Sequence, residues 1–296
     1  MNSSGSLLAL ENFAIFSGIA SRYIVRDVNL SVPAAAPFCL AGESGCGKSL
    51  LAQAIVGSLP DELEAEGSIF LAGDAISELP RKQIRELWGR KIFYMPQEPS
   101  SSLDPSMRIR EQILEIHTRV MGKPRKEGLS QVRRMLETLG LDSVTAGKEY
   151  PLRLSGGMNQ RALLAMALSS PAELIIVDEP TKGMESAKRD EVIFLLSKLA
   201  EEGRTMFCIT HDLEIPRRLG GMLAMMYAGL IVEVGPSREV LSSPRHTYTR
   251  SFLRALPENG LNPIPEFVLN SLDTAWGKEN SRKSDWQGEN WKEARR

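Results

Sequence analysis

Two stretches of the chain carry residue types that could bind and cleave a triphosphate. Residues 42–49 read Gly-Glu-Ser-Gly-Cys-Gly-Lys-Ser, the spacing G-x-x-x-x-G-K-[ST]. A triphosphate needs many donors in a small concavity, where side chains would hold the backbone away. Gly42, Gly45 and Gly47 allow the chain to curl with its N–H groups inward. Lys48 can then bridge the β- and γ-phosphates and the Ser49 hydroxyl can ligate Mg²⁺. Glu43, Ser44, Cys46 and Leu50 complete the binding set, with Cys46 a small filler at a free motif position rather than a nucleophile. The second stretch is Leu174-Ile-Ile-Val-Asp178-Glu179-Pro180. Four apolar residues predict a buried strand whose carboxyl end releases two carboxylates, the place where α/β sheets hold ligands. Asp178 suits Mg²⁺, held through a water, and Glu179 suits the orientation or deprotonation of an attacking water. A strand-to-helix turn and a solvated turn are the plain alternatives for the two stretches.

Both stretches need elements to hold them. Apolar runs at 7–10, 13–16 and 28–32 end at small or polar breakers and predict strands, as do 68–76 and 92–95. The run 38–41 predicts a strand feeding directly into the glycine-rich segment. Residues 49–57 carry Leu50, Leu51, Ala54 and Ile55 at helical spacing, so the dipole of a helix starting near Ser49 adds to the anion site. The middle, about 106–170, reads as helical. There Ile109, Ile113, Ile116 and Val120 share one face, and Val132, Met135, Leu136 and Leu139 another. Strands follow at 174–177, 206–209 and, as a pair, 222–234, around a helix at 186–201. Buried strands alternating with helices predict a largely parallel α/β sheet covered on both faces, with the middle block as a helical insertion.

Composition limits what such a chain can be. Its 296 residues are 42% hydrophobic and 25% charged, enough to bury a sizeable core. Thirty-six basic residues against 37 acidic ones give a net charge of -1, without the basic field of a dedicated nucleic-acid binder. Cys39, Cys46 and Cys208 are too few for a disulfide framework or a zinc site, which points to a reducing compartment. No apolar run approaches the roughly 18 residues of a spanning helix. The opening Met-Asn-Ser-Ser-Gly-Ser has no basic region ahead of a long apolar stretch, so a cytoplasmic chain without a secretory signal is expected. Beyond about 261 the chain turns polar and charged yet holds Trp276, Trp286 and Trp291. A flexible tail is one reading of that composition, a docking segment anchored by tryptophans the other.

Residues 154–161, Leu-Ser-Gly-Gly-Met-Asn-Gln-Arg, lie between the two phosphate-site stretches. That string resembles the signature of ATP-binding-cassette (ABC) ATPases. Ser155, Gly156 and Gly157 open a helix and form an anion site of their own. The resemblance implies a P-loop cassette with a mostly parallel RecA-like core, an antiparallel β subdomain and a helical subdomain at about 100–170. It implies ATP and Mg²⁺ as ligands and a second cassette, identical or paralogous, whose signature grips the γ-phosphate across a head-to-tail dimer. It also implies that Gln97 links Mg²⁺ and water to a transmembrane partner, that His211 contacts the γ-phosphate, and that Phe16 or Tyr23 stacks on adenine, with Phe16 favoured.

The resemblance covers about 7–257, within a domain at 1–260 and ahead of the tail at 261–296. Residues 97–105 (Gln-Glu-Pro-Ser-Ser-Ser-Leu-Asp-Pro), Tyr150-Pro151 and 246–257 (His-Thr-Tyr-Thr-Arg-Ser-Phe-Leu-Arg-Ala-Leu-Pro) are similar to oligopeptide, dipeptide and nickel importers. That subfamily implies integral-membrane permease subunits, an extracytoplasmic solute-binding protein and a peripheral place on the cytoplasmic face of the plasma membrane. One departure stands out. After Pro180 the family usually has S/T-A-L-D, whereas this chain reads Thr181-Lys-Gly-Met184-Glu185. A soluble non-transport ABC ATPase and a non-hydrolysing regulatory subunit are the competing readings. The first lacks its usual tandem cassettes or zinc-binding cysteines here, and the second rests on Met184-Glu185 alone.

Overall fold

Alternating apolar residues in the first seventy positions pair into an antiparallel sheet. The computed structural model describes residues 5–98, 102–184, 186–256 and 264, without the side chains of 186–188. Strands β1 (Ser6–Ser17), β2 (Arg22–Pro33), β4 (Leu63–Leu71) and β5 (Asp74–Ala75) form this sheet in the order β2-β1-β4-β5. The runs 7–10 and 13–16 are one strand rather than two. The polar Glu11-Asn12 pair makes a bulge, with Asn12 at φ 48° and the register slipping between Leu10 and Phe13.

The larger sheet has six strands: β3 (Pro37–Gly42), β6 (Ile92–Met95), β7 (Leu174–Asp178), β8 (Thr205–Thr210), β9 (Met222–Tyr227) and β10 (Leu230–Pro236). Their order is β10-β9-β3-β8-β7-β6, parallel throughout except for the β9–β10 hairpin at one edge. The near-continuous apolar runs of these strands follow from burial on both faces. Phe38, Leu40, Ile176, Phe207 and Ile209 pack toward the antiparallel sheet and helix α1 (Lys48–Ile55). Cys39, Ala41, Ile175, Val177 and Cys208 pack toward the helices on the other side.

Those helices include α3 (Ile109–Glu115), which runs on into a π-helical turn at Ile116–Val120, then α4 (Arg125–Thr138) and α5 (Gly156–Ser169). Ile109, Ile113, Ile116, Val132, Leu136 and Leu139 are buried as their spacing predicts, and Val120 and Met135 are partly so. Helix α6 (Ser186–Glu201) covers the same face, turning Ile193, Leu196 and Leu199 inward. Helices α2 (Arg81–Leu87), α7 (Glu214–Leu219), α8 (Ser237–Ser242) and α9 (Thr247–Arg254) were not expected from the sequence. Each makes about two turns or fewer, too short to display a helical period.

Because β3, β6, β7 and β8 run parallel, their carboxyl ends share one edge of the sheet. Register then fixes what emerges there: Gly42 beside Met226, Ala41 beside Thr210, Asp178 beside Ile209 and Met95 beside Val177.

The stability of that edge depends on the layer beneath it. Phe207 is fully buried and stacks on Phe38 at 5.8 Å between ring centroids. Phe207→Ala should cost about 3–5 kcal/mol, and Phe207→Leu less than about 1.5 kcal/mol. Thermal unfolding should register the difference, at about 2–4 °C for each kcal/mol in a chain of this size class. Equal losses for the two variants would show that ring volume does not matter at this position.

Candidate functional site

Strand β3 ends at Gly42, where a Cβ would lie 2.1 Å from the Met226 carbonyl oxygen of the neighbouring strand. Only glycine fits so close to backbone. At the other end of the loop Gly47 takes φ 107°, and a Cβ there would meet Val25 Cγ2 at 2.7 Å. The glycine spacing read from the sequence is therefore a packing requirement as well as a means of turning N–H groups inward. Helix α1 starts at Lys48, whose side chain is buried and curls back into the loop. Its Nζ donates to Gly42 O at 2.8 Å and to Glu43 O at 2.7 Å, with Cys46 Sγ 3.8 Å away. An ammonium so placed can exchange carbonyl acceptors for phosphate oxygens without leaving the loop. Burial pushes the Cys46 thiol up despite the opposing Lys48 charge, which suits a filler and not a nucleophile.

Two carboxylates emerge from β7. Asp178 is buried; its Oδ2 accepts from the Tyr94 hydroxyl at 3.4 Å, while Oδ1 accepts no hydrogen bond. Burial raises its pKa, with the neighbouring Glu179 adding, against the Ser49 and Tyr94 hydroxyls and the Lys48 charge. A buried carboxylate oxygen without a donor, beside a serine hydroxyl, fits a hard divalent cation that binds oxygen ligands. Ser49 and Asp178 are thus suited to hold Mg²⁺.

Glu179 follows in a left-handed backbone conformation, φ 50°, which is uncommon for a residue with a side chain. Its N–H still donates to Ile209 O at 2.8 Å, so the β7–β8 ladder fixes the bend. The side chain is nearly buried, and its Oε2 lies 2.6 Å from His211 Nδ1 and accepts from the His211 backbone N–H at 3.3 Å. His211, on the loop after β8, is half-exposed. The carboxylate and imidazole named from separate motifs therefore form one pair at the sheet edge, a geometry able to orient a water and take up its proton.

Gln97 lies two residues beyond β6 and is half-buried. With Met95 beside Val177, it leaves the sheet at the same edge as Asp178. The 154–157 segment is placed differently. Ser155 caps α5, its Oγ accepting from Met158 N at 3.3 Å. Ser155 and Gly156 are exposed, and space around Gly156 and Gly157 is open. No hydrogen bond among the described residues joins this helix start to the 42–49 loop. Its donors face outward, away from that loop. The same helix is tied to the carboxylate edge through Gln160, whose Nε2 donates to Pro180 O, and to the turn that precedes it through Asn159, whose Nδ2 donates to Pro151 O at 3.0 Å.

Phe16 and Tyr23 are cross-strand partners on β1 and β2, with ring centroids 5.2 Å apart at 68°. Facing residues on paired strands share one side of the sheet, so both candidates occupy one spot and the geometry does not separate them. The Tyr23 hydroxyl donates to Glu66 at 3.0 Å, and burial with that carboxylate pushes its pKa up to about 12. Glu185, residues 99–101 and the three tail tryptophans lie outside the described residues.

Sequence reasoning missed Tyr94 and Gln160. Tyr94 sits on a strand that was expected, but only the β6–β7 register sets it against Asp178. Gln160 belongs to the quoted 154–161 string, and its partner Pro180 becomes visible only once α5 is packed on the sheet.

Comparison with known proteins identifies the family. Residues 25–182 match the sequence model of the ABC transporter family. The oligopeptide transport ATP-binding protein AmiE of Streptococcus pneumoniae is 37% identical over 238 residues, 79% of this chain and 67% of the relative. The oligopeptide transport ATP-binding protein OppD of Salmonella typhimurium is 34% identical over 235 residues, 79% of this chain and 70% of the relative. A solved dimeric ATP-binding cassette, in a post-hydrolysis state bound to ADP and Pi, shares the fold at TM-score 0.68. That match covers 78% of this chain and 99% of the cassette at 24% identity. The chain therefore belongs to the ABC transporter family, as one of its ATP-binding-cassette ATPases.

Proposed function

We propose that this ATPase powers a peptide importer, and that the residues converging at the carboxyl edge of the large sheet perform the hydrolysis. The observation that carries the mechanism is the Glu179–His211 pair at 2.6 Å, set beside the buried Asp178 and the Lys48 loop. Lys48, with the backbone N–H groups of 42–50, binds the β- and γ-phosphates of ATP. Ser49 and Asp178 would hold Mg²⁺, the latter through a water, with Gln97 joining them. When bound, Mg²⁺ neutralises charge on the phosphates and polarises them toward attack. Glu179 orients a water and accepts its proton, while His211 holds the Glu179 carboxylate in place and reaches toward the γ-phosphate. The ring of Phe16, or that of Tyr23, supports the adenine.

Hydrolysis on this reading requires a second cassette. Ser155, Gly156 and Gly157 present hydroxyl, backbone donors and helix dipole outward, where they would meet the γ-phosphate bound by a partner chain. ATP that binds the closed pair more tightly than the open pair shifts the population toward closure. Gln97 and the helical block carry that closure to permease subunits. No helix among the described residues is long and apolar enough to cross a membrane. On this reading the subunit is peripheral, at the cytoplasmic face of the plasma membrane. The names of AmiE and OppD support oligopeptides as cargo, in preference to nickel or a chelated metal; delivery by an extracytoplasmic solute-binding protein is part of the same proposal.

Glu179→Gln should bind ATP yet hydrolyse it at least about a hundredfold more slowly, because the water loses its base. Phosphate release from the assembled transporter at saturating ATP measures this, and near-normal turnover would remove Glu179 from the role. In the reconstituted system, oligopeptide-loaded solute-binding protein should stimulate ATP turnover whereas nickel should not. Stimulation by nickel alone would reassign the cargo.

A further inference from the structure

Strands β7 and β8 pair as far as Asp178 and Ile209, and the Glu179–His211 pair lies beyond that point. Past the ladder the two loops must be laced together by other contacts. Glu179 N donates to Ile209 O at 2.8 Å, and the Glu179 carboxylate meets His211 Nδ1 at 2.6 Å. A third rung follows, in which Thr181 Oγ1 donates to Asp212 Oδ2 at 3.1 Å. This rung has no part in the mechanism above, although both of its residues lie within two positions of the pair.

Both ends of the rung are fixed. Thr181 is buried, in a turn closed by Lys182 N on Glu179 O and by Met184 N on Thr181 O, each at 3.2 Å. The carbonyl before it, Pro180 O, accepts from the buried Gln160 side chain. On the other loop, Asp212 N donates to Thr210 Oγ1 at 2.9 Å, and Asp212 Oδ1 accepts from Glu214 N at 3.0 Å where α7 begins. Arg189 of α6 places its Nε 3.8 Å from Asp212 Oδ2, so the accepting oxygen also faces a guanidinium. A hydrogen bond to a carboxylate is stronger than one between neutral groups, and removing its donor in a site withdrawn from water leaves the oxygen unsatisfied.

The rung opposes a specific movement. Glu179 sits at φ 50°, and relaxation of its backbone toward a commoner conformation would swing its carboxylate away from His211. Thr181 and Asp212 tie the chain on both loops just past the pair, so neither loop can turn without the other. No hydrogen bond among the described residues joins Thr181 to the 42–49 loop.

We infer that Thr181 is a positioning residue for hydrolysis: through Asp212 it locks the loop bearing Glu179 to the loop bearing His211, and so sets the speed of water attack rather than the affinity for ATP. The inference rests on the catalytic reading of Glu179 and His211 given above.

Thr181→Val keeps the branched shape and removes the hydroxyl, whereas Thr181→Ser keeps the hydroxyl and removes a methyl. In the assembled transporter, Thr181→Val should lower kcat about tenfold, the range one hydrogen bond to a charged group supplies. Its KM and its dissociation constant for Mg·ATP should stay within about twofold of the parent, and Thr181→Ser should restore kcat to the same margin. Thr181→Ala, which also lacks the hydroxyl but adds no methyl beside Asp212, should match Thr181→Val. A readout of geometry comes from the full chain without nucleotide. It has three histidines, so the His211 imidazole signals can be assigned by NMR with His211→Asn. Those signals should move in Thr181→Val and stay in place in Thr181→Ser. Unchanged kcat in Thr181→Val would overturn the inference, as would equal losses in the valine and serine variants, a loss confined to ATP affinity, a normal Thr181→Ala, or His211 signals that do not respond. Glu179→Gln separates the two levels of the argument. If it turned over normally, the catalytic reading would fail and the inference with it; if it were slow while Thr181→Val was normal, only the inference would fail.

Discussion

A buried ammonium and a buried carboxylate at neighbouring strand ends constrain everything else in this cassette. Lys48 and Asp178 are both removed from water, and each acts on the other electrostatically. Taking such groups out of water is costly unless partners compensate. Gly42 and Glu43 supply carbonyls for one, and the Tyr94 and Ser49 hydroxyls act on the other. The arrangement is possible only because parallel strands end together, so that α1, β7 and β8 deliver charged side chains to a single edge. An antiparallel order would have sent half of them to the opposite end. The single antiparallel strand, β10, lies at the sheet margin and serves the site through its turn with β9 instead.

The same sheet divides labour between its faces. One face packs on α1 and the antiparallel sheet, which brings Val25 against Gly47. The other packs on the helical block, whose α5 opens with Ser155 pointing outward. On the reading proposed above, one edge of the sheet gathers the phosphate donors, metal ligands and base, while the outward donor group at Ser155 serves a ligand on a second chain.

Much of this was legible in the sequence because local chemistry and local structure coincide. The glycine loop needs a strand before it and a helix after it, and both are within twenty residues. The strand 174–178 is apolar throughout because both its faces are covered. The helical block shows its periods because its helices are long enough to repeat them. What stayed hidden depends on pairing between distant segments. Asn12 reads as a breaker but becomes a bulge once β4 lies alongside β1. Tyr94 reads as an ordinary strand residue until β7 lies beside it. Tyr248 sits in a segment marked only by resemblance, and its ring meets Tyr227 only once β9 and β10 have paired.

The loop after β7 shows how these separate parts are joined. Glu179 adopts a backbone conformation that costs of order 1–3 kcal/mol in a residue with a side chain, and it is held there from three directions. The β8 strand takes its N–H, His211 takes its carboxylate, and α5 reaches the next carbonyl through Gln160. One residue further, Thr181 Oγ1 donates to Asp212 Oδ2 at 3.1 Å, tying the loop to the segment that carries His211. A bend held so many ways cannot relax alone. If Glu179 or His211 shifts as the γ-phosphate is cleaved, the displacement has a bonded route through Pro180 and Gln160 to the first turns of α5. Ser155 stands at the head of that helix, so the Glu179–His211 pair and the outward-facing helix start lie on one bonded path.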